Sequence, residues 1–222
     1  MNNLILICSI IKTPNTPLSY TNIRSVYSHE ERFEQIKKTI QSVREKIPNA
    51  KILMVECSHL HEEQLNYLKN NVDYFINLIN DPEKVQNIYS ISKSLGEGTM
   101  TIEAINYIQQ NNIEYDNLFK ITGRYWLSEN FNYSNFENNN IMVHYIQNDI
   151  NNACTSLYKL NKMNVIDFQN FLILNLSLMY KCVGYEILFA KFLQLQINNK
   201  IIHMDKIGIN GVISVSGDLI DN

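Results

Sequence analysis

The chain lacks any excess of basic charge: 19 Lys and Arg stand against 22 Asp and Glu, a formal net charge of -3. That excludes an overall basic footprint for nucleic acid and leaves room only for a local basic pocket. Its four cysteines, Cys8, Cys57, Cys154 and Cys182, form no Cys-x-x-Cys pair and have no metal-type spacing. Cys8 and Cys57 lie in apolar runs and read as buried free thiols in a reducing compartment. Long hydrophobic runs are missing too. The most apolar late stretch, Phe171 to Tyr180, is interrupted by Asn175 and Ser177. It falls short of the ~20 residues that span a bilayer. Asn-Asn follows Met1 where a signal peptide would carry basic residues. The expectation is a soluble cytoplasmic protein, with contact at a membrane surface left open.

The 222 residues are 45% hydrophobic and 18% charged, enough for one sizeable core. There is no internal repeat. Leu4 to Ile11 is a short apolar run of the kind found in a central strand covered on both faces. A loop with Pro14 and Pro17 follows. Ser28-His-Glu-Glu31 has the form of a capping box. Phe33, Ile36, Ile40, Val43 and Ile47 then recur at helical spacing up to Pro48. Lys51 to Cys57 predicts a second strand, and Leu60, Leu65 and Leu68 a short helix. Tyr74 to Ile79 predicts a third strand. Gly96-Glu-Gly98 opens a helix with Ile102, Ile105 and Ile108 facing inward, and Asn117 to Thr122 is a fourth strand.

This alternation implies a mostly parallel sheet with helical crossovers. Beyond it, Glu129 to Asn140 reads as a polar loop, Asn140 to Ile146 as a strand, Gly184 to Gln196 as a helix and Lys200 to Met204 as a strand.

Ligands of such sheets bind outside the carboxyl ends of the strands. The residues just past each strand are therefore the candidates. After the first strand come Ser9 to Thr13 and a loop with Arg24. After the second come Glu56 and Ser58; a carboxylate there can accept from a uracil imide or a ribose hydroxyl, or act as a plain helix cap. Lys93 to Thr99, KSLGEGT, places Gly96 and Gly98 where backbone approaches a ligand and a helix start offers N–H groups to phosphate, although the same pair also punctuates ordinary loops. The fourth strand runs into Lys120, Thr122, Gly123, Arg124 and Tyr125. Arg offers a planar fork of donors to a diphosphate, and Lys a point charge; a structural ion pair of Arg124 with Asp116 or Glu129 is the alternative. Glu186 starts a late helix, as dipole complement or as general base. His203 and Asp205 follow the last strand-like run.

In order and local pattern, these features resemble the GT-A class of glycosyltransferases from about Leu4 to Met204. LMVECS is similar to the class's second-strand pattern, in which an acid and a nearby Ser contact the nucleoside, here Glu56 and Ser58. KSLGEGTMTIEAINYI resembles the segment before its central strand. VGYEILFAKFL resembles the late Gly-x-Glu helix that brings a catalytic carboxylate to the acceptor, here Glu186. The resemblance implies an α/β, Rossmann-like GT-A fold in one domain over residues 1–222, with residues 1–128 as nucleotide-binding half and 129–222 as acceptor-side half. It implies a nucleotide-sugar donor and a glycan, lipid-linked or protein acceptor, in glycan synthesis.

The departure lies in KITGRYW, residues 120–126. Many members carry Asp-x-Asp there to hold a divalent metal against the diphosphate; no Asp-x-Asp occurs in this chain. Two routes are open. Either Lys120 or Arg124 neutralises the leaving diphosphate without metal, or a lone group such as Glu129 or His203 holds manganese or magnesium. A non-catalytic nucleotide-sugar-binding or assembly module is the second reading. A nucleotidyltransferase ranks below it, because the loop after the first strand, IIKTPNTPLSY, has no glycine.

Overall fold

The computed structural model describes residues 1–196 and 199–222. Its central sheet has seven strands in the order β3-β2-β1-β4-β7-β6-β8. These are β1 (Asn3–Ser9), β2 (Lys51–Glu56), β3 (Tyr74–Asn77), β4 (Asn117–Thr122), β6 (Ile141–Val143), β7 (Leu157–Asn161) and β8 (Ile201–His203). β3, β2, β1 and β4 run parallel; β7 is antiparallel to both β4 and β6, and β6 and β8 pair in parallel. The result is a mixed α/β fold, mostly parallel and Rossmann-like, as expected.

The apolar runs follow from burial on both faces. Leu4, Leu6 and Cys8 of β1 point into one core with Leu53 and Val55 of β2. The alternate residues Ile5 and Ile7 join Ile52 and Met54 in the other. The first core is closed by helices α4 (Lys93–Gln110), α5 (Lys162–Leu174), α6 (Leu176–Tyr180) and α7 (Tyr185–Gln194). The second is closed by α1 (His29–Lys46), which buries Ile36, Ile40 and Val43. Its capping box forms: Ser28 Oγ accepts from the Glu31 N–H at 3.2 Å, and Glu31 returns the bond to the Ser28 N–H at 2.7 Å. Helices α2 (Glu62–Asn71) and α3 (Pro82–Ile88) complete the crossovers. A second, three-stranded antiparallel sheet joins β5 (Tyr125–Leu127), β9 (Ile209–Val212) and β10 (Leu219–Asp221).

Several sequence expectations shift. β1 ends at Ser9, two residues before Ile11, because the Ile11 N–H leaves the ladder for a side chain, Glu56. β3 is shorter than Tyr74 to Ile79, since Leu78–Asn80 closes into a 3₁₀ turn. The Asn140 to Ile146 strand reduces to Ile141–Val143. Helix α4 begins at Lys93, not at Gly96, because Ser92 Oγ caps it by accepting from the Leu95 N–H at 3.2 Å. No sequence signal marked β7, whose Lys159 is fully buried. The three donors of that ammonium are met by carbonyls of Phe136 and Asn138 and by the Asn138 side chain.

Candidate active site

A cleft opens at the carboxyl ends of β1 and β4, with a volume of about 880 Å³ including its solvent-filled mouth. It is an open cleft at the place where sheets of this kind receive ligands. Its walls include Ser9 after β1, Thr13, Leu18, Tyr20 and Arg24 of the following loop, Arg32 of α1, and Lys93, Gly96 and Glu97 of α4. Thr122, Arg124 and Tyr125 form the β4 side, and Ile213 to Val215, just past β9, form the last wall.

Of the residues singled out in the sequence, Ser9, Arg24, Lys93, Gly96, Arg124 and Tyr125 therefore meet in one place. Glu186 stands beside them: its Oε1 is 3.8 Å from Lys93 Nζ and 3.3 Å from Thr155 Oγ1.

The cations differ in what they have left to offer. Arg24 donates to the carbonyls of Thr16, Ile88 and Ser90, which fixes the loop after β1. Arg32 donates to the Ile10 carbonyl at 2.7 Å and to the hydroxyls of Ser25 and Ser214. Burial, together with the charge of Arg124 beside it, presses Arg32 down to about 9. Two guanidiniums thus line one cleft and repel each other, a strain that a bound anion would relieve. The Arg124 side chain has no hydrogen-bond or ion-pair partner among the described residues, and its Nε is buried without one. Lys93, half exposed, reaches only Glu186 among the described residues. Burial pulls its pKa down, but Glu186 and Glu97 outweigh that and keep it charged.

Other expected site residues are engaged elsewhere. Glu56 is fully buried; its Oε1 accepts from the N–H groups of Ile11 at 2.9 Å and Cys57 at 3.0 Å, and from Ser58 Oγ at 2.5 Å. Ser58 Oγ in turn accepts from the Lys12 N–H at 2.9 Å. These two residues shape the loop that lines the cleft and do not themselves line it. Gly98 is not a ligand contact: a Cβ there would lie 2.4 Å from Met179 Sδ, so it lets α4 pack on α6. Gly123 is likewise a packing position, where a Cβ would meet Ile36 at 2.2 Å. Gly96 lines the cleft, but inside the helix; a Cβ there would lie 3.0 Å from the Ile88 carbonyl oxygen.

Lys120 is wholly buried and cannot turn to a diphosphate. Its ammonium donates to Glu97 Oε1, to Thr122 Oγ1 at 2.9 Å and to the Thr155 carbonyl at 2.7 Å, which uses all three donors.

The residues present do not fit a divalent metal. Glu129 is almost fully exposed, 3.4 Å from Lys46, in a separate groove with Trp126. His203 stacks on His144 and faces Asn148 Oδ1 at 3.1 Å and Asp205 at 3.5 Å. Among the described residues, no three His, Cys, Asp or Glu side chains come together in a way that could hold a metal ion.

Sequence reasoning missed Glu97, Arg32 and the Ile213–Val215 wall. Glu97 sat between two glycines read as the opening of a helix, with the attention on their backbone, and Arg32 sat in the polar first turns of a surface helix. All four cysteines are free, three of them buried and Cys182 partly exposed. No described helix is long and apolar enough to cross a membrane.

Neither family models nor curated proteins match the sequence. Solved structures do match the fold. CTP:phosphocholine cytidylyltransferase LicC from Streptococcus pneumoniae superposes with a TM-score of 0.54 at 10% identity, over 98% of this chain and 96% of that one. The glycosyltransferase GlyE of Streptococcus pneumoniae TIGR4 does so with a TM-score of 0.50 at 9% identity, over 92% of this chain. Its apo form gives 0.51 at 11% identity over 90% of this chain. The chain spans 45% of the length of GlyE. At these identities the likeness is one of fold: a Rossmann-like α/β sheet of the kind found in a glycosyltransferase and a nucleotidyltransferase.

Proposed function

We propose that this protein is a glycosyltransferase that moves a sugar from a nucleotide-diphosphate sugar to an acceptor hydroxyl in glycan synthesis, without a metal. The observation that carries the reading is Arg124: a guanidinium with no hydrogen-bond or ion-pair partner among the described residues, set only over the Tyr125 ring, in a cleft at the strand ends of a Rossmann-like sheet. Its planar fork suits a diphosphate, and Lys93 adds a second positive charge.

As the sugar–phosphate bond breaks, negative charge grows on the leaving diphosphate. A cation placed against that oxygen stabilises the growing charge more than the ground state. Glu186 lies across Lys93 from it, 30% exposed, and takes the proton of the acceptor hydroxyl if the anomeric centre inverts. A retaining reaction would not need that base. Glu56 and Ser58 serve by shaping the nucleoside loop.

Calorimetric titration with UDP-, GDP- and CMP-sugars, each with manganese and with chelator, tests the reading. Binding that survives chelation is expected. Strict metal dependence would overturn the role of Arg124, and no binding to any of them would overturn the whole reading.

One observation favours a second reading. The cytidylyltransferase matches over nearly its full length. Against it stands the glycine-free loop after β1. Release of pyrophosphate from CTP or UTP in the presence of an alkyl or sugar phosphate would favour this alternative.

A further inference from the structure

The floor of the cleft holds a charge pair that the transfer chemistry above does not use. Glu97 projects from the second turn of α4, between the two glycines that let this helix press against Ile88 and Met179. The close approach sinks the carboxylate into the wall, where its side chain is 13% exposed. Oε1 accepts from Lys120, which is completely buried beneath it. Oε2 has no hydrogen-bond partner among the described residues, while Glu97 lines the cleft together with Lys93, Thr122 and Arg124. Burial pushes the Glu97 pKa up, but Lys120, then Lys93 and Arg124, more than offset this and hold it below the ordinary carboxylate range.

An ionised carboxylate beside a diphosphate site is unexpected unless it has work to do. Its charge is balanced from below by Lys120, so the pair adds no net repulsion toward the nucleotide. What remains is one strong, directed acceptor facing the cleft. Acceptors of this kind are costly to desolvate without a donor, and sugar hydroxyls are donors. A second carboxylate brought to the same place would meet like charge at short range in a partly buried site.

We propose that Glu97 forms the donor-sugar subsite: Oε2 accepts a hydrogen bond from a hydroxyl of the transferred sugar, and the site therefore takes neutral hexose donors and rejects uronic-acid donors. Lys120 is the positioning residue that fixes Oε1 and leaves Oε2 free. This rests on the nucleotide-sugar reading of the same cleft.

The test is calorimetry on the whole chain with matched sets: UDP, UDP-glucose and UDP-glucuronate, and GDP, GDP-mannose and GDP-mannuronate. The set whose nucleotide binds is then used. The neutral conjugate should bind at least tenfold tighter than the uronate. Glu97→Gln should shrink that gap to threefold or less and leave the affinity for the bare diphosphate within threefold of wild type. If Glu97→Gln fails to fold because Lys120 loses its counter-charge, the double variant Glu97→Gln/Lys120→Met carries the same comparison. Equal binding of neutral and acidic conjugates to the wild type would overturn this subsite while leaving the nucleotide-sugar reading intact. So would a Glu97→Gln loss shared equally by the bare diphosphate. Absence of binding by either diphosphate and all its conjugates would overturn both.

Discussion

Arg32 Nη1 lies 3.1 Å from Ser214 Oγ, a hydrogen bond that ties the first helix to a segment 182 residues further along the chain. The same hydroxyl donates to the Arg24 carbonyl at 3.0 Å, and the Ser214 carbonyl accepts from the Val26 N–H at 2.8 Å. One serine thus joins α1, the loop after β1 and the segment past β9, and all three line the cleft. Arg32 is buried, so the loss of an acceptor falls on a desolvated cation. Ser214→Ala should cost about 1–2 kcal/mol in urea unfolding. It should also weaken nucleotide binding, because the wall it holds loosens. A variant with wild-type stability and affinity would show that the tie is dispensable.

Arg124 tests the chemistry of the cleft more directly. Arg124→Ala should lower kcat by about two to three orders of magnitude, the range seen when a donor to developing charge is removed. Arg124→Lys should recover only part of the loss, because a point charge replaces a two-pronged donor. Stability should change little, since the side chain has no hydrogen bond or ion pair to lose among the described residues, only its contact with the Tyr125 ring, and a buried Nε to relieve. Turnover equal to wild type in Arg124→Ala would remove the assignment.

The contrast between Arg124 and Lys120 also shows how far a sequence could be read. Both stood at the same strand end and looked equivalent as diphosphate partners. Strand alternation separates them. Lys120 shares a face with Leu118, under α4, and meets Glu97; Arg124 lies past the strand, in the cleft. The parallel half of the sheet was legible because strands buried on both faces must be apolar throughout. β7 was not, because its buried Lys159 is satisfied by carbonyls of the Asn-rich loop, an arrangement visible only in three dimensions. Helix α5 was missed for a related reason. It buries Val165, Phe168 and Leu172 while exposing Met163 and Leu174, so it shows no clean apolar stripe. Glu56 shows the opposite error: it stands at the carboxyl end of β2, but its bonds go to the Ile11 and Cys57 N–H groups and the Ser58 hydroxyl rather than to the cleft.

Glu186 separates an enzyme from a binding module. It is held 3.8 Å from Lys93 and 3.3 Å from the Thr155 hydroxyl, at the start of α7. Glu186→Gln keeps the shape and removes the basic oxygen. It should lower kcat for transfer by about 10²–10⁴, the usual share of a general base. Calorimetric affinity for the donor should stay within a few-fold. Equal loss of donor affinity and turnover would mean that Glu186 acts through Lys93 on binding and not on the acceptor.

Glu56 yields a pH dependence whose sign is fixed. Burial raises its carboxyl to about 7; hydrogen bonds from Ser58 and the Ile11 N–H, and the charge of Arg32, offset only part of this. Oε1 takes all three hydrogen bonds and Oε2 has none, which leaves Oε2 as the oxygen free to take a proton. The folded state therefore holds this proton more tightly than the unfolded chain, where the value is near 4.5. Its stabilising contribution is fully present below about 4.5 and is lost as pH rises through 7. On the order of 3 kcal/mol is at stake, at 1.36 kcal/mol per unit. Urea midpoints measured from pH 5 to 8 should fall for the wild type. In Glu56→Gln, which fixes a neutral side chain in the same place, the decline should be shallower. Parallel curves for the two proteins would mean that Glu56 is ionised throughout, with the Arg32 charge outweighing burial.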